Sequence, residues 1–334
     1  MAIRPEIKYP LPLKIVGMGH YLPKRIVSNS ELESRCGLPE GWCERKQGIR
    51  ERRWVENETL SFMGAEAARE AVAASGLKLS GIDLIISAGQ SFQQAVPDNG
   101  PMLQRQLGLG ESGIPCLNIS SACLSFLVAL DISASLIALG CYRNILIVTA
   151  EITTSNLDFN DPNVCTMMGD GAAAALVTQT PEGESATIHA ALMETYSEAS
   201  YVSSISGSNA YRTFFSDQIR RDDFTFAFEP QSLQRSGMKY NKRFLAKLWP
   251  ASNSRAFKLI IPNQSSRLVL DYAKLVYPSE RVMGIIDRCG NCGSVGYPLA
   301  LYEAINNQRI SRGDLVMLNG MGAGFTLAGL VLAY

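Results

Sequence analysis

The sequence predicts an α/β protein built from two similar halves. Three observations carry this. Short runs rich in Val, Ile and Leu alternate with longer stretches of helical periodicity, a pattern of layered sheets with largely parallel central strands. Two pairs of segments about half a chain apart echo one another. Asp83-Leu-Ile-Ile-Ser-Ala is matched by Phe257-Lys-Leu-Ile-Ile-Pro, and Gly169-Asp-Gly-Ala-Ala-Ala-Ala-Leu-Val by Gly322-Ala-Gly-Phe-Thr-Leu-Ala-Gly-Leu-Val. A repeat of that length indicates a duplicated fold rather than a short-period solenoid. Finally, the polar stretch 178–185, with Pro181 and Gly183, places the boundary between halves at 1–180 and 181–334.

In chain order, strands are predicted at 13–17, 84–88, 116–119, 144–150, 172–178, 187–193, 258–261, 281–285, 315–318 and 326–333. Helices are predicted at 60–75, 100–107, 125–140, 239–248, 265–275 and 297–307. The helix over 60–75 opens after Glu58-Thr59 and stops at Gly76, a fitting C-cap. Residues 200–236 contain five phenylalanines among Ser, Gly, Asp and Arg, and read as a covering loop or lid. The apolar stretch Leu124 to Cys141 contains Asp131 and three serines, and reads as a buried helix rather than a membrane span.

The chain of 334 residues balances 31 Lys and Arg against 31 Asp and Glu. With no basic surplus, nucleic acid and anionic membranes are not its expected partners. The opening residues carry charges and prolines where a secretory signal would be apolar, so none is expected. Eight cysteines without a dense framework point to a reducing cytoplasm. Only two histidines, His20 and His189, are present, which restricts acid–base chemistry.

The richest local signal is Cys116-Leu-Asn-Ile-Ser-Ser-Ala-Cys123-Leu-Ser-Phe, a short strand, small residues, then a long apolar helix. Cys123 is placed at or just inside the helix start. The partial positive charge of a helix N-terminus favours a thiolate there, and the sharp turn lifts the side chain out of the sheet. The same pattern also fits a small buried cysteine in a well-packed helix start.

With these residues in hand, the chain resembles the β-ketoacyl-acyl-carrier-protein synthase III family of thiolase-fold condensing enzymes. The resemblance runs from Leu13 to Tyr334. It is carried by Val16-Gly-Met-Gly-His-Tyr-Leu-Pro, Gly48-Ile-Arg-Glu-Arg-Arg, Asn57-Glu-Thr-Leu-Ser-Phe-Met-Gly, Ser121-Ala-Cys-Leu-Ser-Phe, Met168-Gly-Asp-Gly-Ala, Ile261-Pro-Asn-Gln-Ser, Cys289-Gly-Asn-Cys and Gly322-Ala-Gly-Phe-Thr. It implies a thiolase-like duplicated α-β-α-β-α layered fold with two pseudo-symmetric halves, in a cytoplasmic homodimer. It implies that a Cys takes an acyl group from coenzyme A or a carrier-protein thioester, without a cofactor. The acyl group then condenses with malonyl-acyl carrier protein as carbon dioxide leaves.

The resemblance assigns Cys123 as nucleophile and Asn291 as a catalytic amide. The family's His falls on Asn263, which has an NH2 donor but carries no titratable proton. This leaves two further readings open. One is an acyltransferase that makes an ester, amide or thioester without decarboxylation. The other is a catalytically reduced partner subunit. The oxyanion loop falls on Gly322, Ala323 and Gly324, where a Cβ at Ala323 disfavours a positive φ. Trp42 and Lys46 fall on the coenzyme A site, with no Arg found to complete the clamp on Trp42. Val96 falls at the end of the acyl pocket, where a small side chain implies an acyl group longer than acetyl. Lys242, Arg243, Arg267 and Lys274, with Lys239 and Lys247 nearby, form the expected basic docking patch for an acidic carrier protein. Cys289-Gly-Asn-Cys292 is a lone CxxC with no second half, so no metal is implied.

Overall fold

The run Gly171 to Val177 is buried along its whole length, and a strand of small side chains enclosed on both faces belongs inside a layered fold. The structure is a computed structural model that describes residues 9–205, 221–249 and 257–334. Its strands are β1 Lys14–Tyr21, β2 Arg25–Ser28, β3 Glu51–Trp54, β4 Leu84–Ala88, β5 Cys116–Ile119, β6 Asn144–Glu151, β7 Gly171–Thr178, β8 Thr187–Thr195, β9 Ser203–Ser204, β10 Ala227–Phe228, β11 Leu259–Pro262, β12 Leu315–Gly322 and β13 Thr326–Ala333. Its α-helices are α1 Asn29–Arg35, α2 Trp42–Gln47, α3 Leu60–Ser75, α4 Asn99–Gln106, α5 Ser125–Ala138, α6 Pro162–Cys165, α7 Pro230–Leu248, α8 Arg267–Val276, α9 Ile286–Cys289 and α10 Gly296–Asn306.

Five strands form one sheet in the order β1-β7-β6-β4-β5, and four form another, β11-β12-β13-β8. Helices α5 and α10 lie between them. Leu127 and Leu130 of α5 and Leu299 of α10 share one core with Ile86 and Ile147 of the first sheet and Val316 and Leu330 of the second. Helices α3 and α4 cover the outer face of the first sheet through Met63, Ala67, Ala71 and Leu103. Helix α7 covers the second through Phe244 and Leu248, and α8 packs on β11. The layers therefore run α-β-α-β-α, and the two buried central helices read as continuous apolar sequence because neither has a solvent face.

The sheets are mixed rather than largely parallel. Among the strands of the described residues, only β4 with β5, β4 with β6, and β11 with β12 run parallel. Strands β12 and β13 are joined by a three-residue turn, so their pairing is necessarily antiparallel. The strand predicted at 281–285 is absent: Val282 makes a single parallel bridge to Ile260 before the chain turns into α9. The predicted lid is interrupted too, because α7 starts at Pro230, where proline suits a first helical turn. The remainder of that prediction, residues 206–220, lies outside the described residues. Helices α1, α2, α6 and α9 went unpredicted because four to seven residues are too few to show a helical period.

Helix α3 and strand β1 pack backbone against backbone. A Cβ at Gly17 would lie 2.0 Å from the Ala71 carbonyl oxygen and 2.8 Å from the Ser75 nitrogen. The helix backbone therefore rests directly on the strand, and the alanines of α3 keep it there. Gly17→Ala is expected to cost ~3 kcal/mol in urea unfolding, because backbone must move. Gly81→Ala, with open space around its Cβ, is expected to stay within ~0.5 kcal/mol. Equal effects would contradict this account of the interface.

Candidate active site

The chain between β5 and α5 makes a strained turn. Ala122 has a φ of 49°, a left-handed conformation that costs an alanine about 1–2 kcal/mol. Ser125 holds it: its hydroxyl donates to the Ala122 carbonyl at 2.7 Å and accepts from the Ser121 N–H at 2.9 Å. The Leu124 N–H donates to the Ser121 carbonyl at 3.0 Å, and Leu124, Ser125 and Phe126 are fully buried beneath. Cys123 thus sits at the apex, two residues before the first helical residue of α5.

The sequence predicts a lowered thiol pKa at Cys123, and the structure overturns it. Burial pushes the thiol up to about 12, and the charge of Glu151 adds to the rise. The cysteine's own N–H and the Asn263 amide oppose it without prevailing. Cys123 as a residue is half-buried, but desolvation of its sulfur still outweighs the helix terminus, because a thiolate there would sit among buried neighbours and near a carboxylate. Glu151, at the end of β6, is fully buried. It accepts from the Gln90 N–H at 3.0 Å, the Ser91 N–H at 2.9 Å and the Ser294 hydroxyl at 2.5 Å. Burial raises its own pKa, against the pull of these bonds. Sequence reasoning missed Glu151. Its one signal was an acid closing an otherwise apolar strand.

Asn263 follows β11 and is 5% exposed. Its Nδ2 donates to the Met321 carbonyl at 2.6 Å and also faces the Cys123 sulfur. An oxygen could not sit that close to a carbonyl, so the amide orientation is fixed by chemistry. Its Oδ1 is buried with no partner. The approach requires Gly320, where a Cβ would lie 2.7 Å from the Asn263 Cβ and 2.3 Å from the Tyr297 hydroxyl. Asn291 lies in the turn after α9. Its Oδ1 accepts from the Gly293 N–H at 3.0 Å, which leaves its NH2 as the available end. The turn rests against Glu151, since a Cβ at Gly293 would come within 3.4 Å of the Glu151 carboxyl carbon.

The loop after β12 meets the turn at Cys123: a Cβ at Gly322 would lie 3.1 Å from Leu124 Cγ and 3.3 Å from the Ser121 carbonyl oxygen. Ala323 does not adopt a positive φ. That conformation falls on Gly324 (80°) and Phe325 (51°), so the Cβ at Ala323 brings no penalty. The structure therefore sets the Asn263 amide against Cys123, the 322–324 loop against Ser121 and Leu124 on either side of the turn, and Gly293, which Asn291 holds, against Glu151.

Other predicted residues lie elsewhere. Val96 is 85% exposed in the β4–α4 connection and does not line the Cys123 site of its own chain. Its loop is tied down at Ser91 and Asn99, and the tip between them points outward. Trp42 is half-buried at the start of α2, against the cluster of Val27, Leu32 and Trp54, and Lys46 is exposed on the same helix. Arg35 is near this cluster but lies over the ring of Phe159, 3.4 Å from its centroid, not over Trp42. The basic residues divide between two helices. Lys242 and Arg243 are exposed on α7, where Lys247 pairs with Glu194 and Lys239 lies over the Tyr240 ring. Arg267 and Lys274 are exposed on α8, where Arg267 also packs on Gly48 at the end of α2. His20 bonds Glu70 at 3.1 Å, and His189 faces Trp249. Among the described residues, no cluster of three or more His, Cys, Asp or Glu is placed to hold a metal ion.

A thiol at about 12 is protonated at neutral pH, and each unit of pH exposes about tenfold more thiolate. Alkylation of Cys123 by iodoacetamide is therefore expected to accelerate continuously to at least pH 10. A plateau near pH 8 would contradict the burial argument. Glu151→Gln is expected to speed alkylation several-fold at fixed pH. It should also lower stability by ~1–3 kcal/mol, because its amide presents a donor to a site of three donors.

Comparison with known proteins agrees with this architecture. Residues 117–197 match the family described as 3-oxoacyl-[acyl-carrier-protein (ACP)] synthase III, and residues 252–334 match its C-terminal counterpart. The beta-ketoacyl-[acyl-carrier-protein] synthase III of Aquifex aeolicus (strain VF5) is 31% identical over 96% of this chain and 99% of its own. That of Campylobacter curvus (strain 525.92) is 30% identical, covering 97% of each chain. The crystal structure of the synthase III from Aquifex aeolicus VF5 superposes with a TM-score of 0.82, covering 96% of this chain and all of the other, at 30% identity. With fold, motif order and full-length similarity in agreement, the chain belongs to the 3-oxoacyl-[acyl-carrier-protein] synthase III family of thiolase-fold condensing acyltransferases.

Proposed function

We propose that Cys123 takes an acyl group from acyl-coenzyme A or a carrier-protein thioester and delivers it to malonyl-acyl carrier protein. The observation that carries this reading is the strained Ala122–Cys123 turn, in contact with Gly322 and Asn263. In the first step the Cys123 sulfur attacks the thioester carbonyl. The donor thiol leaves and takes up the proton that Cys123 gives up. The cysteine N–H and the 322–324 loop stabilise the oxyanion. In the second step the malonyl carboxylate leaves as carbon dioxide, and the resulting enolate attacks the acyl group. Cys123 departs as thiolate and takes a proton from water. The NH2 of Asn291 is the donor for the enolate oxygen. No cofactor enters either step. Trp42 and Lys46 are proposed to hold the nucleotide end of coenzyme A, and a cytoplasmic homodimer is the proposed setting.

One observation favours a second outcome for the acyl enzyme. The Asn263 Nδ2 is engaged by the Met321 carbonyl, while its Oδ1 is an acceptor without a donor. A nucleophile bearing N–H, O–H or S–H satisfies that acceptor, and an enolate does not. Transfer to such a nucleophile without decarboxylation is therefore the alternative. The two are separated by loading the protein with a panel of acyl thioesters, locating the adduct by mass spectrometry, then chasing with malonyl-acyl carrier protein. A carrier product that gains the acyl group and loses carbon dioxide supports condensation. An acyl enzyme that discharges only onto amines, hydroxyls or thiols supports the alternative. No adduct at Cys123 overturns both. Asn263→His is expected to raise condensation by at least ~10-fold while leaving loading unchanged, since it restores a second enolate donor.

Carrier docking is proposed for α8. Leu268 and Leu275 are 69% and 85% exposed there, flanked by Arg267 and Lys274, an apolar strip with a basic border suited to an acidic amphipathic helix. Lys242 and Arg243 on α7 offer a second basic edge. Lys274→Glu is expected to raise the KM for carrier-protein substrates ~5-fold and leave loading from coenzyme A thioesters unaltered. An equal effect on both substrates would contradict docking at α8.

A further inference from the structure

We infer that Cys36 and Cys165 are an oxidative modification site, a thiol pair set to close into a disulfide beside α2. Their sulfurs are 3.4 Å apart, although 129 residues separate them in the chain. A disulfide bond is about 2.05 Å, so closure needs about 1.4 Å of approach. Cys36 caps the C-terminus of α1 and is half-buried, while Cys165 ends α6 and is buried. One thiol is therefore reachable by a small oxidant and the other is held behind it. The CxxC of Cys289 and Cys292 is the pair that spacing alone would suggest. Both of its cysteines are buried, and the Cys292 sulfur is directed at the backbone oxygens of Cys289 and Asp170.

Burial pushes the Cys165 thiol well above its ordinary value and the neighbouring Cys36 adds to the rise, so the exchange starts at Cys36 and a cation nearby eases the second step. Arg52 is wholly buried, and its guanidinium donates to the Val27 carbonyl, the Asn29 side-chain oxygen and the Thr166 carbonyl. Among the described residues no carboxylate lies within ion-pair distance of it, and the Cys43 and Cys165 thiols are its nearby ionisable neighbours along with Glu33. A buried cation with so little compensation favours a passing thiolate. With a small-molecule disulfide as oxidant, the Cys36 thiolate attacks one of its sulfurs and releases one small thiol. The Cys165 sulfur, losing its proton to water, then attacks Cys36 and expels the second. The two protein thiols are oxidised to one disulfide, and the reagent is reduced to two thiols.

The link would act on α2. That helix is braced by α1, whose Glu33 carboxylate accepts from the Gly41 and Cys43 N–H groups, and by α6, whose Asn163 carbonyl accepts from Gln47. Drawing α1 and α6 together moves both braces of the helix that carries Trp42. The effect on coenzyme A thioesters rests on the proposed function, but the cross-link itself does not.

The test is oxidation of the intact protein by glutathione disulfide, followed by alkylation of free thiols and peptide mass spectrometry. The expected product is a peptide pair joined through Cys36 and Cys165, lost in both Cys36→Ser and Cys165→Ser and retained in Cys123→Ala. Oxidised protein should show a several-fold higher KM for an acyl-coenzyme A, reversed by dithiothreitol and absent in Cys36→Ser. A stable glutathione adduct on Cys36 without the cross-link, or a link from Cys36 to Cys43, overturns the pair. A cross-link that leaves KM unchanged overturns its action on α2. Failure of Cys123 to load any thioester, with the cross-link present, counts against the proposed function and leaves the site standing.

Discussion

A left-handed alanine organises this protein's chemistry. Ala122 has no glycine-like freedom, so its φ of 49° persists only because neighbouring groups determine it. Ser125 does so from inside the first turn of α5, bonding backbone on both sides of Ala122. That bracket holds because α5 is clamped between two sheets, with Leu124, Phe126, Leu127 and Leu130 in their shared core. The position of the sulfur is thus set by the burial of a whole helix. The second sheet enters the same arrangement through Gly322, which lets the end of β12 touch Leu124 and Ser121. A change that loosened either sheet from α5 would relax the turn before it disturbed the side chains of Asn263 or Asn291.

The sequence was most legible where a period or a motif was long enough to register. Helices α3, α5 and α10 and the buried strands β6, β7 and β13 show long apolar patterns and were placed within a few residues. The strand-to-turn-to-helix setting of Cys123 was legible locally, though it fits a packed structural cysteine equally well, and the roles of Cys123, Asn263 and Asn291 come only through the family's motif order. The short helix α2 was not legible, although Trp42 was. Val96 rests on a motif position, which says nothing about which way a loop tip points, and in its own chain the residue stands exposed. Glu151 was missed because its role comes from three donors supplied by residues 90, 91 and 294, far apart in sequence.

The electrostatics of the site were the least legible part. A helix N-terminus is a local feature, whereas desolvation is a property of everything packed around the sulfur. The local rule predicts a reactive thiolate, and the enclosure reverses it. Asn263 shows the same contrast. Its amide could donate or accept, and only the Met321 carbonyl at 2.6 Å decides that the donor is used within the protein.

These constraints bear on which covalent state the site favours. The free thiolate is penalised twice, by burial and by Glu151. A thioester at Cys123 is neutral, as the resting thiol is, so neither penalty acts on the acylated state. A thiol near 12 is also a poor leaving group, because the thiolate it must become is the species the site disfavours. Under the proposed chemistry, the enclosure that slows attack on the donor therefore also protects the acyl enzyme from discharge to weak nucleophiles. Release then requires an acceptor strong enough to expel a reluctant thiolate, as an enolate formed by loss of carbon dioxide is. A second route is an acceptor that protonates the departing sulfur as it leaves. The balance between the two falls on the amide of Asn263, which stands beside the sulfur with its donor engaged and its acceptor open.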